Sequence, residues 1–389
     1  MTRFRGWGLA VVALAGCLPG PARLAPEARD PDWGPRVALL DSAVADGAAP
    51  GAVVGISWRG QWFSYGTGRL GQHAGRRPDG ATIYDLASVT KVVTVTTLAM
   101  QAVNEGRLDL DQPIARYLGD PLPAWAGQVT TRHLLTHTSG LPAHRRLWTL
   151  APGPDSARRV VRHTPLDTVP GARTVYSDLG LILLGEIIER QLGAPLDRLV
   201  AERITGPLGM TETRFLPPAA WRARIAPTEQ DPWRGRMIRG EVHDENAAFL
   251  GGVSGHAGLF GTTADLLRFG EWLVGAVRSE GTILSGERWL VQGAIPRQFT
   301  TRALLVPGSS RALGWDTPTE QALPGVAMAP GAVWHTGFTG TAIWVDPAHQ
   351  LVLVLLTNRV HPTRENNRHV ALRRAVATYV FQRVGGASR

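Results

Sequence analysis

Lysine is almost absent from this sequence of 389 residues. Lysine and arginine together number 41, and Lys91 is the only lysine among them. On a solvated surface arginine can take the place of lysine, because either side chain keeps a charged head in water. A buried amine, unlike a guanidinium, can lose its proton and act as a base. The single lysine therefore suggests that the amine at position 91 has a chemical role. The alternative is that Lys91 is a lysine that has by chance not been replaced by arginine.

Cysteine is equally scarce, and Cys17 is the only one in the chain. A single cysteine excludes an internal disulfide, so the folded domain must be held together by its hydrophobic core. Cys17 follows a positively charged start, at Arg3 and Arg5, and a short apolar run at residues 6–15. That run is too short to span a bilayer and predicts an export signal.

Residues 1–17 resemble a bacterial lipoprotein signal peptide, in which the cysteine is lipidated and becomes the mature N-terminus. The resemblance implies a lipid anchor at Cys17, which attaches the protein to a membrane on the periplasmic or cell-envelope face. A general secretory signal with an incidental cysteine is the alternative. Residues 18–35, rich in proline, alanine and arginine, predict a flexible tether.

The overall composition is that of a globular protein. Hydrophobic residues make up 44% of the chain and charged residues 19%, which excludes a disordered chain. The formal net charge is +9, but the arginines are scattered and no nucleic-acid-binding module accompanies them. No nucleic-acid partner is therefore predicted.

Strand-like patterns lie at both ends of the folded region, and helical patterns fill the middle. A hairpin is predicted within residues 52–65, and three further strands follow residue 331. We therefore predict an α+β fold: an antiparallel sheet built from both chain ends and flanked by helices, with an inserted all-helical domain. The predicted boundaries are 36–384 for the whole domain, about 36–85 and 245–384 for its α/β part, about 86–244 for its helical part, and 385–389 for a tail.

Ser88 precedes Lys91 by three residues in a predicted helix that runs to about residue 104. Residues three apart on a helix share a face, and a serine beside a deprotonable amine is an activated nucleophile. The run at residues 92–97 is β-branched and disfavours a helix locally, although the apolar stripe continues beyond it. Backbone N–H groups at the start of this helix favour a developing oxyanion near Ser88.

Three motifs lie far apart in the chain: Ser88-Val89-Thr90-Lys91, Tyr176-Ser177-Asp178 and His335-Thr336-Gly337. Their order is similar to that of the motifs in serine β-lactamases and penicillin-binding proteins. The chain resembles the branch of that superfamily with a Tyr-x-Asn middle motif, which includes class C β-lactamases, D-Ala-D-Ala peptidases and family VIII-type esterases. The stretches at residues 133–141 and 255–260 are similar to that branch too.

The resemblance implies a class C β-lactamase-like fold and acyl-enzyme chemistry without a metal or an organic cofactor. Ser88 would attack a carbonyl group while Lys91 and Tyr176 handle protons. The backbone N–H groups of Ser88 and Phe338 would hold the oxyanion. We expect burial and neighbouring groups to drive Lys91 towards its neutral form. A tyrosine packed in the core is the alternative for Tyr176.

Asp178 stands where the family more often has asparagine. A carboxylate favours a protonated Lys91 and lacks the donor of an amide group, so recognition of a substrate amide changes. Asp178 is assigned to substrate binding. Capping of the helix predicted to begin at Leu179 is the alternative.

His335 replaces the lysine of the family's Lys-Thr-Gly motif. By family geometry this motif is an edge strand that faces the serine, and His335, Thr336 and Gly337 are assigned to substrate binding. Loss of the lysine weakens recognition of a substrate carboxylate, and several esterases of the branch also carry histidine here. Arg359, after the last predicted strand, is a candidate for binding that carboxylate, with a solvated arginine as the alternative.

Three other histidines have no assigned catalytic role. His133 and His137 lie four residues apart on a predicted helix, which is a spacing found in metal sites. The sequence shows no carboxylate or cysteine partner for them, so structural roles are favoured and no metal is predicted. His256, in a glycine-rich stretch, is a candidate for lining the cleft.

The preferred interpretation is an exported serine hydrolase that acts through a Ser88 acyl-enzyme on an ester or a D-Ala-D-Ala-like amide. Its substrate would be a small molecule or a cell-wall peptide, and the oligomeric state stays open. A class C-type β-lactamase is the first alternative, although His335 and Asp178 disfavour it. A catalytically silent envelope lipoprotein that binds peptides is the second.

Overall fold

The computed structural model describes five stretches of the chain. The predicted signal peptide with Cys17, and residues 18–33 of the predicted tether, lie outside them. No helix within these stretches combines the length and the hydropathy needed to cross a bilayer. The described residues are 34–71, 75–119, 121–279, 291–320 and 325–386.

The strands of the described residues form three antiparallel sheets of five, three and two strands. They are β1 Gly51–Trp58, β2 Gln61–Gly68, β3 Tyr84–Asp85, β4 Arg214–Phe215, β5 Gln230–Asp231, β6 Arg236–Met237, β7 Leu259–Gly261, β8 Val333–Thr336, β9 Ala342–Asp346 and β10 Leu351–Thr357.

The large sheet joins the two ends of the folded region. Its strand order is β2-β1-β10-β9-β8, so the first two strands lie beside the last three. Strand β1 pairs with β10 from Ala52 opposite Thr357 to Trp58 opposite Leu351. The predicted antiparallel sheet is thereby confirmed, and β8, which carries His335, is an edge strand as expected.

The helices flank the sheet and fill most of the segment between β3 and β7. They are α1 Gly34–Ala45, α2 Val89–Lys91, α3 Thr97–Asn104, α4 Ala115–Leu118, α5 Thr131–Leu135, α6 Leu147–Leu150, α7 Pro154–His163, α8 Asp178–Leu192, α9 Leu196–Val200, α10 Glu245–Phe249, α11 Thr263–Arg278, α12 Ala294–Thr300 and α13 His369–Gly386.

Strand β10 is buried on both faces, which explains its continuous apolar sequence. Because side chains alternate across a strand, Val352 and Val354 enter one core while Leu351 and Leu353 enter a second. Helix α11 packs on the first face, and α1 and α13 cover the second. Gly270 permits the close approach of α11, because a Cβ there would lie 2.3 Å from Val352 Cγ1. Each buried aliphatic side chain contributes about 1.5–3 kcal/mol.

The helix that follows Ser88 is continuous but not uniform. Between α2 and α3 the backbone forms a π-helical segment, Val92–Thr96, at the β-branched run that disfavours an α-helix. Thr94 Oγ1 donates to the Thr90 carbonyl at 2.7 Å, and Thr97 Oγ1 donates to the Val92 carbonyl at 2.9 Å. The prediction of a helix to about residue 104 is confirmed. The β-branched run does not end the helix but changes it locally from an α-helix to a π-helix.

Helix α8 is the buried centre of the helical segment and packs against α3, α4, α5, α7 and α9. Its N-cap is Ser177, whose hydroxyl accepts a hydrogen bond from the Gly180 N–H at 3.2 Å. Asp178 is already the first residue of the helix, so the alternative prediction that Asp178 caps it is wrong. The Asp178 carboxylate turns towards Lys91 instead.

Candidate active site

A cavity of about 760 Å³ lies where β8, the start of α2 and the N-terminus of α13 meet. The polypeptide supplies its walls from segments that are far apart in sequence. Seven of the predicted catalytic and binding residues line it: Ser88, Tyr176, Asp178, Thr336, Gly337, Phe338 and Arg359. Residues of all three motifs are therefore brought together around one solvent-accessible space.

Lys91 lies beneath this cavity and faces three oxygen atoms. Its Nζ donates to Ser88 Oγ at 2.8 Å and to the His256 carbonyl at 3.0 Å, and it forms an ion pair with Asp178 Oδ1 at 2.7 Å. The Lys91 side chain is 1% exposed. An ammonium group has three N–H donors and no lone pair, so this surrounding suits the charged amine.

The charge of Lys91 differs from the expectation. Burial lowers the pKa of the Lys91 amine, but the charge of Asp178 and the nearby phenol of Tyr176 outweigh burial and hold that pKa above its ordinary value. Burial raises the pKa of Asp178, but the Lys91 charge and a contact with His144 lower it by more. The pKa of Asp178 therefore stays below its usual range. The expectation that Lys91 rests in its neutral form is therefore wrong.

Tyr176 lies beside the amine and on the cavity wall. The centroid of its ring is 5.0 Å from Lys91 Nζ, and its phenol is one of the neighbours that hold the pKa of the amine above its ordinary value. The ring packs against His137 with a centroid distance of 4.4 Å and against His335 at 6.1 Å. These contacts hold the ring on the cavity wall near Lys91, a position that suits a proton carrier more than a core tyrosine.

The turn before Ser88 has an uncommon backbone conformation. Ala87 has a φ of 46°, which costs a residue with a Cβ about 1–3 kcal/mol. The buried carboxylate of Asp85 stabilises this turn by accepting hydrogen bonds from the Ala87 N–H at 2.8 Å and from the His243 N–H at 2.6 Å. Asp85 thus positions the nucleophile, a role that the sequence did not indicate.

The loop after β8 approaches this turn closely because it contains glycine. A Cβ on Gly337 would lie 2.6 Å from the Leu86 carbonyl oxygen. In the described part of the chain, neither the Ser88 N–H nor the Phe338 N–H donates a hydrogen bond to another protein group. Both residues line the cavity, so their amides are available to an oxyanion, and that role stays a prediction.

His335 does not lie on the cavity wall. Its ring is 3% exposed and packs behind Tyr176, with Nδ1 2.9 Å from the Thr336 carbonyl oxygen. Burial, reinforced by the charges of Lys91 and Arg311, lowers its pKa well below the ordinary value and keeps it neutral. The predicted contact of His335 with substrate is therefore corrected to a contact with Tyr176, whereas Thr336 and Gly337 line the cavity as expected.

Arg359 is buried and lines the cavity, so the alternative of a solvated arginine is wrong. Its Nε donates to the Phe338 carbonyl at 2.6 Å, and its Nη1 donates to the carbonyls of Arg364 and Asn366 at 2.7 and 3.1 Å. The guanidinium also lies 4.2 Å from the centroid of the Phe338 ring. Arg359 therefore holds the loop that carries the second candidate oxyanion donor.

The remaining histidines have structural contacts. His133 Nδ1 accepts from the Thr130 N–H and completes the cap of α5, and His137 Nδ1 accepts from the Ser177 N–H at 3.1 Å. No group of three metal-ligating side chains exists within the described ranges. His256 contributes its carbonyl to Lys91, while its buried ring lies 2.8 Å from both Ser254 Oγ and Asp244 Oδ1.

Sequence reasoning missed several residues that shape the cavity. His144 Nδ1 lies 3.9 Å from Asp178 Oδ2, Asp244 supports the His256 ring, and Arg373 of α13 donates from Nη2 to the Gly337 carbonyl at 3.2 Å. Each comes from a segment outside the three motifs and has no distinctive neighbours in sequence. Only the tertiary structure reveals their positions.

Residues 37–378 match the protein family described as Beta-lactamase. The chain belongs to the beta-lactamase family. Its similarity to a relative from Escherichia coli (strain K12), named "Putative D-alanyl-D-alanine carboxypeptidase", is 33% identity over 343 residues, covering 77% of this chain and 75% of the relative. Membership of this family identifies the protein as a serine hydrolase.

Solved structures agree on the fold of this beta-lactamase family member. The hydrolase EstCE1 superposes with a TM-score of 0.70 at 22% identity, covering 90% of this chain and 99% of EstCE1. A class C beta-lactamase superposes with a TM-score of 0.71 at 19% identity, covering 90% of this chain and 97% of that protein. The predicted class C β-lactamase-like fold is thereby confirmed.

Replacing Asp178 with asparagine is expected to move the pH dependence of kcat/KM to lower pH. The carboxylate raises the pKa of Lys91, and an amide of nearly the same shape removes its charge. Loss of an opposite charge at this range lowers a pKa by about 1–3 units, so kcat/KM begins to rise at a correspondingly lower pH. The measurement is a pH profile with an ester substrate.

The matched control is Asp155→Asn, which alters an exposed carboxylate in the first turn of α7. That variant should keep the profile of the unaltered protein. A profile that stays in place or moves to higher pH in Asp178→Asn contradicts the assigned influence of Asp178 on Lys91.

Proposed function

We propose that this protein is an exported serine hydrolase that forms an acyl-enzyme on Ser88 and cleaves an ester or a D-Ala-D-Ala-like amide. The observation that carries the proposal is the 2.8 Å contact between Lys91 Nζ and Ser88 Oγ at the cavity. The E. coli relative is named "Putative D-alanyl-D-alanine carboxypeptidase", and that name supports a D-Ala-D-Ala-like amide as the substrate.

In the proposed acylation step, Ser88 Oγ forms a bond to the substrate carbonyl carbon. Because an ammonium has no lone pair, Lys91 orients Ser88 Oγ and accepts its proton only after losing one of its own. Tyr176 acts as the proton relay: its phenol takes up the proton of Ser88 Oγ as it gives its own proton to the leaving oxygen or nitrogen, so the tyrosine ends the step in the state in which it began. The N–H groups of Ser88 and Phe338 stabilise the oxyanion.

Water completes the proposed cycle. When the bond between the carbonyl carbon and the leaving group breaks, the leaving group departs with the transferred proton. A water molecule then attacks the carbonyl carbon of the Ser88 ester. One water proton passes through the same site groups to Ser88 Oγ as the bond between that oxygen and the carbonyl carbon breaks, and the acid is released. The proton balance needs no further reactant, and no metal or organic cofactor enters the proposal.

A substrate carboxylate would meet two arginines at the β8 side of the cavity. Arg373 and Arg359 both line the cavity, and among the described residues neither forms an ion pair with a carboxylate. Burial and the charge of Arg359 lower the pKa of Arg373 to about 10, because no anion offsets them. These guanidinium groups favour a substrate whose leaving group carries a carboxylate. They can take the role of the lysine that the family's Lys-Thr-Gly motif has at the position of His335.

The proposed function is tested by intact-mass spectrometry with three acyl donors. They are p-nitrophenyl acetate, diacetyl-Lys-D-Ala-D-Ala and nitrocefin, which represent an ester, a peptide and a β-lactam. A serine hydrolase of the proposed type gains the mass of an acyl group and releases product from the ester, the peptide or both. Binding without any covalent adduct contradicts the proposal and favours the silent peptide-binding alternative. Efficient nitrocefin turnover alone favours a β-lactamase.

We also propose that Cys17 carries a lipid and anchors the protein at the cell envelope. The charged start, the short apolar run and the position of the single cysteine support this location. Expressed from its full sequence in a bacterium, the protein should be found in the membrane fraction, and Cys17→Ser should move it to the soluble periplasmic fraction. Equal distribution of the two forms contradicts the anchor.

A further inference from the structure

Two tryptophans form an aromatic surface at the cavity. Trp148 belongs to α6 and lines the cavity, whereas Trp233 lies in the turn between β5 and β6 and is 41% exposed. Their ring centroids are 5.5 Å apart and their planes are tilted by 39°. The ring of His144 lies 6.2 Å from that of Trp148. We call Trp148 and Trp233 the aromatic shelf.

Helix α6 holds Trp148 in place. The preceding residue, Leu147, is fully buried, and its N–H donates to Asn246 Oδ1 at 2.9 Å. Asn246 in turn donates from Nδ2 to the Arg145 carbonyl at 2.8 Å. The backbone beside Trp148 is therefore fixed to α10, so only the side-chain torsions of the indole remain to be ordered when a ligand arrives.

Trp233 is held equally firmly. The backbone N–H of Trp233 donates to Asp231 Oδ1 at 2.6 Å, and the guanidinium of Arg234 lies 5.4 Å from the centroid of the Trp233 ring. Arg234 itself donates to the carbonyls of Val242 and His243, each at 2.7 Å. The Arg234 guanidinium, held by these hydrogen bonds, thus contacts one face of the exposed Trp233 indole.

Large exposed aromatic side chains beside a cavity are typical of binding surfaces. Burial of an indole removes a large apolar area from water, and this protein leaves Trp233 exposed although its own contacts fix the ring. The two tilted rings present an apolar wall that a flat ring can contact face to face or edge to face. The shelf therefore fits an aromatic group better than a charged one.

The position of the shelf relates it to one part of the substrate. His144 lies next to Trp148 and 3.9 Å from Asp178, so the shelf adjoins the Asp178 side of the nucleophile. Arg373 contacts the Gly337 carbonyl and belongs to the β8 side. A substrate whose leaving-group carboxylate meets the arginines would extend its acyl group towards the shelf.

We propose that Trp148 and Trp233 form a subsite for an aromatic ring on the acyl part of the substrate. This inference rests on the proposed function, because it places the ring relative to the carbonyl that Ser88 attacks. It deepens that function by naming the class of acyl group that the enzyme prefers. Selectivity arises from stacking in a preformed site and not from a change in the chemistry at Ser88.

The test compares two depsipeptides that differ only in the ring, phenylacetyl-glycyl-D-lactate and acetyl-glycyl-D-lactate. Both have the same scissile ester and the same leaving-group carboxylate, and release of D-lactate gives kcat/KM. We expect the unaltered protein to prefer the phenylacetyl substrate by about tenfold. Trp148→Leu and Trp233→Leu should each reduce this preference to about twofold or less.

The matched control is Trp221→Leu, which changes a partly buried indole that does not line the cavity. This variant should keep both values of kcat/KM and their ratio. A merely structural role for the shelf would lower both rates together, with a lower Tm and an unchanged ratio, and would overturn the proposal. An unaltered protein without preference would also overturn it. Failure of both substrates to form an acyl-enzyme would overturn the proposed function and this inference together.

Discussion

Replacing Ser88 with alanine is expected to lower kcat by about 10⁴-fold or more and to abolish the acyl-enzyme. The Ser88 hydroxyl forms the proposed ester with the substrate, and Lys91 Nζ lies 2.8 Å from its oxygen. Alanine leaves the cavity and the two amide donors in place, so substrate still binds. Turnover of p-nitrophenyl acetate and labelling by a fluorophosphonate probe provide the two measurements.

The matched control is Ser42→Ala, which removes an exposed hydroxyl on α1. It should retain both turnover and labelling. A Ser88→Ala protein that is still labelled at an undiminished rate contradicts the assignment of the nucleophile. Digestion and mass spectrometry of the labelled chain would then identify the residue that reacts.

Replacing Lys91 with arginine is expected to lower kcat/KM by about 10³-fold. The substitution keeps a positive charge beside Asp178, but a guanidinium does not give up its proton under these conditions. It is also larger than the amine, and Lys91 is only 1% exposed among Ser88, Asp178 and the His256 carbonyl. The measurement is the rate of acylation by an ester probe, with the Tm recorded in parallel.

Lys91→Met separates charge from proton transfer. Methionine fills a similar volume without a charge, so it leaves the partly buried Asp178 without its Lys91 partner and should lower both activity and Tm. If Lys91 served only as a fixed charge, the arginine variant would stay active and the methionine variant alone would fail. Loss of activity in both, with a folded arginine variant, supports a role in moving the proton.

The framework of the fold could be predicted because its signals are local. The apolar runs of β1 and β10 and the turn at Arg59 and Gly60 identify the strands wherever the tertiary structure places them. The motif order adds what periodicity alone does not, since it relates Ser88, Tyr176 and β8 across segments that are distant in sequence. The strand patterns and the motif order can both be recognised in the sequence alone, because they depend only on residue type and residue order.

The charge of the site could not be predicted in the same way. The state of Lys91 depends on where the Asp178 carboxylate turns, and Ser177 and Asp178 are adjacent residues that are both competent to cap α8. Likewise, the orientation of His335 depends on which face of β8 it occupies. Asp85 and Arg373 act through contacts with the backbone of distant loops, which leave no pattern in the sequence.

The pairing of β1 with β10 affects how activity appears during folding. Gly51 N–H donates to Asn358 Oδ1, 307 residues along the chain, so the central pair of the sheet forms only when the C-terminal segment is available. The same segment brings Phe338, Arg359 and α13 to the cavity. A chain still being synthesised thus contains the nucleophile and its amine but lacks one wall of their site. Pairing between segments so distant in sequence slows folding. The growing polypeptide therefore has no complete active site until its C-terminal strands have been synthesised and paired.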